Sequence, residues 1–187
     1  KLLILLMLAF LFQSVSAQSD LVNLFSTEKQ FAQTAFEKNM KTAFLEFLAD
    51  DGIIFDPNPM NGKEVWKKRT ENRSLLAWNP EFADVSTNGI LGYTTGPWEY
   101  RPNGKNDAPT AFGHYVTVWQ KQADGKFKFV LDIGINHERV SLDVNFVFPT
   151  DVNKELNPKK ISAADTSMRF FETAEKSSFE KAYKIMA

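Results

Sequence analysis

Two carboxylates stand out in this 187-residue chain. Asp132 interrupts an apolar run, Phe129-Val130-Leu131-Asp132-Ile133, and Asp56 sits between Ile53-Ile54-Phe55 and Pro57. A carboxyl group taken out of water holds its proton more tightly, so a buried aspartate can act as acid or base near neutral pH. Two carboxylates in one pocket, one charged and one neutral, allow acid–base work without a cofactor. Each also has a plainer reading. An aspartate before proline bonds the backbone of its own turn, and one in a strand can be held by a structural hydrogen bond.

The segment around Asp132 has a readable geometry. Asp124-Gly125 separates two β-like runs, Thr110–Gln122 and Lys126–Asn136, and is a strong hairpin signal. A two-residue turn pairs Ala123 with Lys126 and sets Thr117 opposite Asp132, Tyr115 opposite Gly134 and Trp119 opposite Val130. Asn136 shares that side. The other side carries Phe112, His114, Val116, Val118, Phe129, Leu131, Ile133 and Ile135, nearly all apolar. A β-bulge would exchange the assignments beyond it. Tyr115 and Asn136 could orient a polar group of a substrate. Trp98 and Trp119 read as core or pocket lining, and His114 as a structural or interface residue.

The elements that must position these residues come in two blocks. Thr27-Glu28-Lys29-Gln30 has the form of a capping box. Ala32, Phe36, Met40, Ala43 and Phe47 follow at helical spacing, and Ala49-Asp50-Asp51-Gly52 ends the helix. Ile53-Ile54-Phe55 is a short strand stopped by Asp56-Pro57-Asn58-Pro59. Asn61-Gly62-Lys63-Glu64 is a second capping box, opening a short helix to about Arg69. Strands are expected near Glu81–Thr87, Gly89–Arg101, Thr110–Gln122 and Lys126–Asn136. Helices followed by an antiparallel meander give an α+β layer, helices on one face of a curved sheet.

Composition narrows the chemistry. Apolar residues at 43% and charged residues at 24% are those of a globular protein. Cysteine is absent, which excludes disulfides, thiol nucleophiles, iron–sulfur clusters and cysteine-ligated zinc. The two histidines, His114 and His137, lack a matched cluster at ligand spacing, so no metal and no cofactor are expected. No glycine-rich phosphate loop or Gly-x-Ser-x-Gly elbow occurs. A net charge of -1 gives no long-range attraction to nucleic acid or acidic membrane.

The ends of the chain read differently from its middle. Lys1, the apolar run Leu2 to Phe12 and Gln13-Ser14-Val15-Ser16-Ala17 are the parts of a secretory signal peptide, residues 1–17, cut after Ala17. The run is short for a membrane span, which needs about 20 apolar residues. Export, periplasmic or secreted, without membrane attachment after cleavage, is the expectation. Residues 18–138 form the domain and 139–160 a polar linker. Residues 161–187 read as a helix in which Phe170, Thr173, Ala174 and Ala182 repeat Phe31, Thr34, Ala35 and Ala43. That helix is either an appendage or the start of a second, truncated copy.

The run Leu48-Ala49-Asp50-Asp51-Gly52-Ile53-Ile54-Phe55-Asp56-Pro57, followed by Asn61-Gly62-Lys63-Glu64, resembles the "ADD…DP…GRE" run of SnoaL-like proteins. These belong to the nuclear-transport-factor-two-like superfamily, which has the cystatin-like fold and includes ketosteroid isomerase. Gly92-Tyr93-Thr94-Thr95-Gly96-Pro97-Trp98, Gly113-His114-Tyr115 and the Asp124-to-Gly134 hairpin are similar to its exported branch of unknown function. The resemblance spans about Thr27 to His137. It implies a cone-shaped roll, helices packed in a strongly curved antiparallel sheet, with a pocket at the wide end walled by Tyr115, Thr117 and Asp132. It places Asp56 at the position of the isomerase's general base. The isomerase's two oxyanion donors fall at Phe31-Ala32 and Thr117, where both are absent or weakened. Steroid isomerisation then loses its largest usual stabilising contribution.

Two functions follow. One is an exported pocket domain that binds a small apolar molecule through Tyr115, Thr117, Trp119, Trp98 and Asn136. The alternative is a cofactor-independent isomerase, dehydratase or hydrolase with Asp56 and Asp132 as acid and base. The apolar outer sheet face calls for a cover, either a homodimer or a tandem second domain.

Overall fold

The computed structural model describes residues 2–147, with side chains from residue 19 onward. Helix α1 (Leu2–Glu37) runs without a break past Ala17. The capping box read at Thr27 lies inside it, where Thr27 Oγ1 donates to the Asn23 carbonyl one turn back, at 2.8 Å. A single helix through Phe47 is replaced by two. The chain turns at Lys38-Asn39, and Asn39 caps α2 (Met40–Phe47) by accepting from the Thr42 amide at 2.7 Å. The break rotates the apolar face. Leu21, Leu24, Phe31 and Ala35 of α1 are buried with Ala43, Phe44 and Phe47 of α2, whereas Phe36 is 46% exposed. Among the described residues, no helix is long and apolar enough to cross a membrane.

Strand β1 (Leu48–Phe55) follows α2 directly, so Ala49-Asp50-Asp51-Gly52 belongs to a strand and not to a helix end. After the Asp56–Asn58 turn, β2 (Pro59–Asn61) pairs back on β1. Asn61 then caps α3 (Gly62–Lys68), accepting from the Glu64 amide at 3.0 Å, as its capping pattern predicts. The remaining strands are β3 (Leu75–Trp78), β4 (Phe82–Val85), β5 (Leu91–Arg101), β6 (Ala111–Lys121) and β7 (Phe127–Asn136). Their order is β2-β1-β7-β6-β5-β3, with β4 also on β5. Neighbours are antiparallel except β1 and β7, which run parallel with Ile54 beside Asp132. The sheet is therefore mixed, because the helical start of the chain delivers β1 to the edge of β7. The fold is α+β, with the N-terminal helices packed against a curved, unclosed sheet.

The β6–β7 hairpin keeps the expected register where the candidate site lies and departs from it near the turn. The loop has three residues, with Gly125 at φ 81° and the Gln122 amide bonded to the Lys126 carbonyl at 2.8 Å. Trp119 consequently faces Phe129, not Val130. A bulge then restores Val118 opposite Leu131, Thr117 opposite Asp132 and Tyr115 opposite Gly134. Phe129, expected on the outer face, thus turns inward with Phe127 and Trp119, and all three are buried.

Phe31 anchors the core. Its ring centroid lies 4.7 Å from Trp78, 5.0 Å from Phe44, 5.1 Å from Phe129 and 6.1 Å from Trp119. Each such buried side chain contributes about 1.5–3 kcal/mol of transfer free energy. The opposite face of the sheet leaves Val116, Ile133 and Ile135 exposed. Residues 139–147, read as linker, lie along the domain. Phe146 meets the Phe25 ring at 3.8 Å, and the Val147 amide donates to the Glu81 carbonyl at 2.8 Å. The rest of that segment and the helix and repeat expected over 161–187 lie outside the described residues.

Candidate functional site

The helix-facing side of β5, β6 and β7 carries a line of polar groups in an aromatic setting. Alternation along β6 brings Tyr115, Thr117 and Trp119 to this side. Thr117 Oγ1 donates to Asp132 Oδ1 across the strands at 2.7 Å, the contact expected from the hairpin. Asp132 ends a small recess of about 30 Å³ that Phe31, Trp78, Trp98 and Tyr115 also line. That volume suits a water molecule or two. Asp132, Phe44 and Leu76 also line a wider chamber of about 250 Å³, bounded by Ile54, Trp66, Arg69 and Tyr100. Asp132 thus stands where a narrow, apolar end meets a chamber that fits a small molecule.

Trp98 reaches this wall because two strand positions lack side chains. Gly113 pairs with it on β6, and a Cβ there would run into the indole ring; one at Gly134 on β7 would stand 3.3 Å from the indole Nε1. The glycines make a shelf for the ring. Trp119 is fully buried beneath the site and donates from Nε1 to Thr94 Oγ1 at 2.9 Å, so it supports the wall from behind. The Tyr115 hydroxyl is buried and, within the described residues, has no hydrogen-bond partner.

A third acid joins the site from α1. Glu28 is fully buried. It accepts from Trp78 Nε1 at 2.6 Å and from Thr94 Oγ1 at 2.5 Å. Thr94 in turn accepts from Trp119, giving a chain from helix to sheet. Desolvation pushes the Glu28 pKa up to about 7; the bonds from Thr94 and Trp78 oppose this, and the Asp132 charge adds to it. Desolvation also raises Asp132, to about 6, against the pull of the Thr117 hydrogen bond. Burial, then the charges of Glu28 and Asp132, hold the Tyr115 phenol well above its ordinary range. Near neutral pH the site can hold a neutral acid, a carboxylate and an un-ionised phenol together, which suffices for proton transfer or for hydrogen bonding to a carbonyl.

Glu28 escapes a sequence reading that takes Thr27-Glu28-Lys29-Gln30 as a cap. Its signal is the buried stripe Leu21, Leu24, Phe31, Ala35, in which Glu28 fills the one acidic place at helical spacing.

The other expected residues are placed elsewhere. Asp56, expected as a base in an apolar pocket, is exposed on the turn after β1 and ion-paired to Arg69 Nη2 at 2.5 Å. β1 ends at Phe55, before Asp56-Pro57, so the carboxylate meets Arg69 at the chamber's rim and not Asp132. Asn136 pairs with Gly113 at the end of β7 and is exposed, away from the recess. His114 bonds His137, Nδ1 to Nε2, at 2.5 Å. Among the described residues, no cluster of three or more His, Asp or Glu side chains could hold a metal ion.

No family model matches the chain, and no curated protein does. Solved structures do. A proposed aromatic ring hydroxylase of Novosphingobium aromaticivorans matches at 14% identity and TM-score 0.50, over 66% of this chain and 92% of that one. A ketosteroid isomerase-like protein of Erwinia carotovora matches at 17% identity and TM-score 0.49, over 64% and 98%. A proposed ketosteroid isomerase of Parabacteroides distasonis matches at 16% identity and TM-score 0.43, over 63% and 88%. At these identities the likeness concerns the fold alone, and one fold carries many chemistries.

Proposed function

We propose that the chain is an exported pocket domain that binds a small, largely apolar molecule in the chamber ending at Asp132. One observation carries this reading. Asp132, held by Thr117, stands in the wall of the chamber of about 250 Å³ beside Met40, Phe44, Ile54, Trp66 and Leu76, so one polar group can fix the orientation of an apolar body. The test is a thermal-shift screen of small ketones, lactones and aromatic compounds on wild type and Asp132→Asn. Compounds that stabilise wild type and lose part of that effect in Asp132→Asn support the pocket. A panel that stabilises neither protein counts against it.

A second reading, acid–base catalysis without a cofactor, draws on the raised carboxyls of Asp132 and Glu28 and on the unpartnered Tyr115 hydroxyl. Turnover of a bound compound that collapses in Asp132→Asn separates enzyme from binder. The role proposed for Asp56 shifts with its position, from base to rim group. Export rests on the signal-peptide pattern of residues 1–17. Assembly through the outer face is supported by the exposed Val116, Ile133 and Ile135, and sedimentation at micromolar concentration tests it.

A further inference from the structure

The chamber that ends at Asp132 opens beside a cation. Arg69 lines it and also lines the adjoining cleft of about 450 Å³, together with Lys41, Glu71, Asn72 and Tyr100. Its guanidinium stacks 4.3 Å above the Trp66 ring, which fixes its plane at the junction of the two spaces. A planar, five-donor fork matches the two oxygens of a carboxylate, the group it already holds here.

The guanidinium already holds a carboxylate. Asp56 Oδ2 lies 2.5 Å from Arg69 Nη2, and both side chains are substantially exposed. An exposed ion pair is held weakly, so a ligand carboxylate can replace or join Asp56 at little cost. Trp66 forms the floor beneath the guanidinium. It lines both spaces, and its Nε1 is buried with no hydrogen-bond partner among the described residues. Lys41 Nζ, 2.9 Å from the Arg69 carbonyl, adds positive charge on the cleft side, and Glu71 is the opposing charge there.

We propose that Arg69 recognises a carboxylate on the ligand, so that the molecule taken up is an acid with its charged end at the rim and its apolar body against Phe44, Ile54 and Leu76 of the chamber. The proposal rests on the pocket reading and names the ligand class for it. Asp56 then serves as the resident competitor that occupies the fork when the chamber is empty.

The experiment compares binding of 2-naphthoate and its neutral amide, 2-naphthamide, to the full chain by calorimetry at pH 7. Wild type should prefer the acid by roughly tenfold, the scale of a charge-assisted hydrogen bond at a partly exposed site. Arg69→Gln should lose that preference and keep the amide affinity. Arg69→Lys should keep only part of the preference, because it retains charge without the fork. Asp56→Asn should bind the acid several-fold more tightly, because the competitor is gone. A melting curve confirms that each variant is folded. Equal affinity of wild type for acid and amide, or a preference that survives in Arg69→Gln, overturns the proposal and leaves the pocket reading standing. Failure of wild type to bind either probe overturns both.

Discussion

The two ends of the chamber hold the same chemical group in opposite circumstances. At the deep end, Asp132 is half-buried among Phe31, Trp78 and Trp98 and Glu28 is fully buried beside Trp78, and loss of water raises both toward neutral pH. At the rim, Asp56 stands in solvent and is neutralised by Arg69. A carboxylate's reactivity is thus set by whether water or protein surrounds it, more than by its place in a motif. The deep end is suited to holding or moving a proton, and the rim to recognising charge.

The contrast breaks most visibly through the core beneath the deep end. Trp119→Ala removes a fully buried indole and the donor to Thr94. It should cost about 3–5 kcal/mol in urea unfolding. Ile135→Ser on the exposed outer face should stay within about 0.5 kcal/mol of wild type for the monomeric chain. Comparable losses for the two would mean that the sheet faces are assigned wrongly.

Next in size is the pH dependence carried by Glu28. Its folded pKa, about 7, lies above the unfolded value of 4.5, so between those pH values the folded state binds more protons. The stability it contributes is complete below about pH 4.5 and is lost as pH rises through 7. Glu28→Gln removes that dependence. The difference in unfolding free energy between variant and wild type should therefore move in the variant's favour by on the order of 3 kcal/mol from pH 4.5 to 8. A difference that does not change with pH would place Glu28 in water.

A smaller effect sharpens the local chemistry. Thr117→Val deletes the hydrogen bond that favours the Asp132 carboxylate, so Asp132 should titrate higher still than about 6, by carbon-13 NMR of the carboxyl. No upward movement would show that Thr117 does not govern it. The smallest effect belongs to the rim. Asp56→Asn breaks an exposed ion pair and should change stability by about 0–1 kcal/mol in thermal melts. A loss of several kcal/mol would make Asp56 a structural keystone.

How much of this could be read beforehand depends on range. Asn61 announces α3 through local capping, and the β6–β7 hairpin is legible from Asp124-Gly125, but Thr117 meets Asp132 as a two-residue turn would set it because the bulge at Val130 offsets the third loop residue. The inward turn of Phe129 is not legible, because two offsets cancel between the three-residue loop and the bulge at Val130. The break at Lys38-Asn39 is hidden for a similar reason, since Phe36 and Met40 continue a helical spacing that the Asn39 cap interrupts. Asp56 carries the motif but not the environment, which Arg69 supplies from the end of α3. Glu28 is the reverse case. Its residue type looks ordinary for a helix surface, and only the long-range packing of Trp78 and Thr94 makes it a buried acid.

The most direct test is a carbon-13 NMR titration of the side-chain carboxyls in wild type, Glu28→Gln and Asp132→Asn. The account predicts two carboxyls titrating near 7 and near 6, the first lost in Glu28→Gln and the second in Asp132→Asn. It also predicts that Glu28 falls in Asp132→Asn, because the neighbouring charge is gone. Every carboxyl titrating near 4, as in water, would contradict the desolvation of these two acids and the proton chemistry proposed for them.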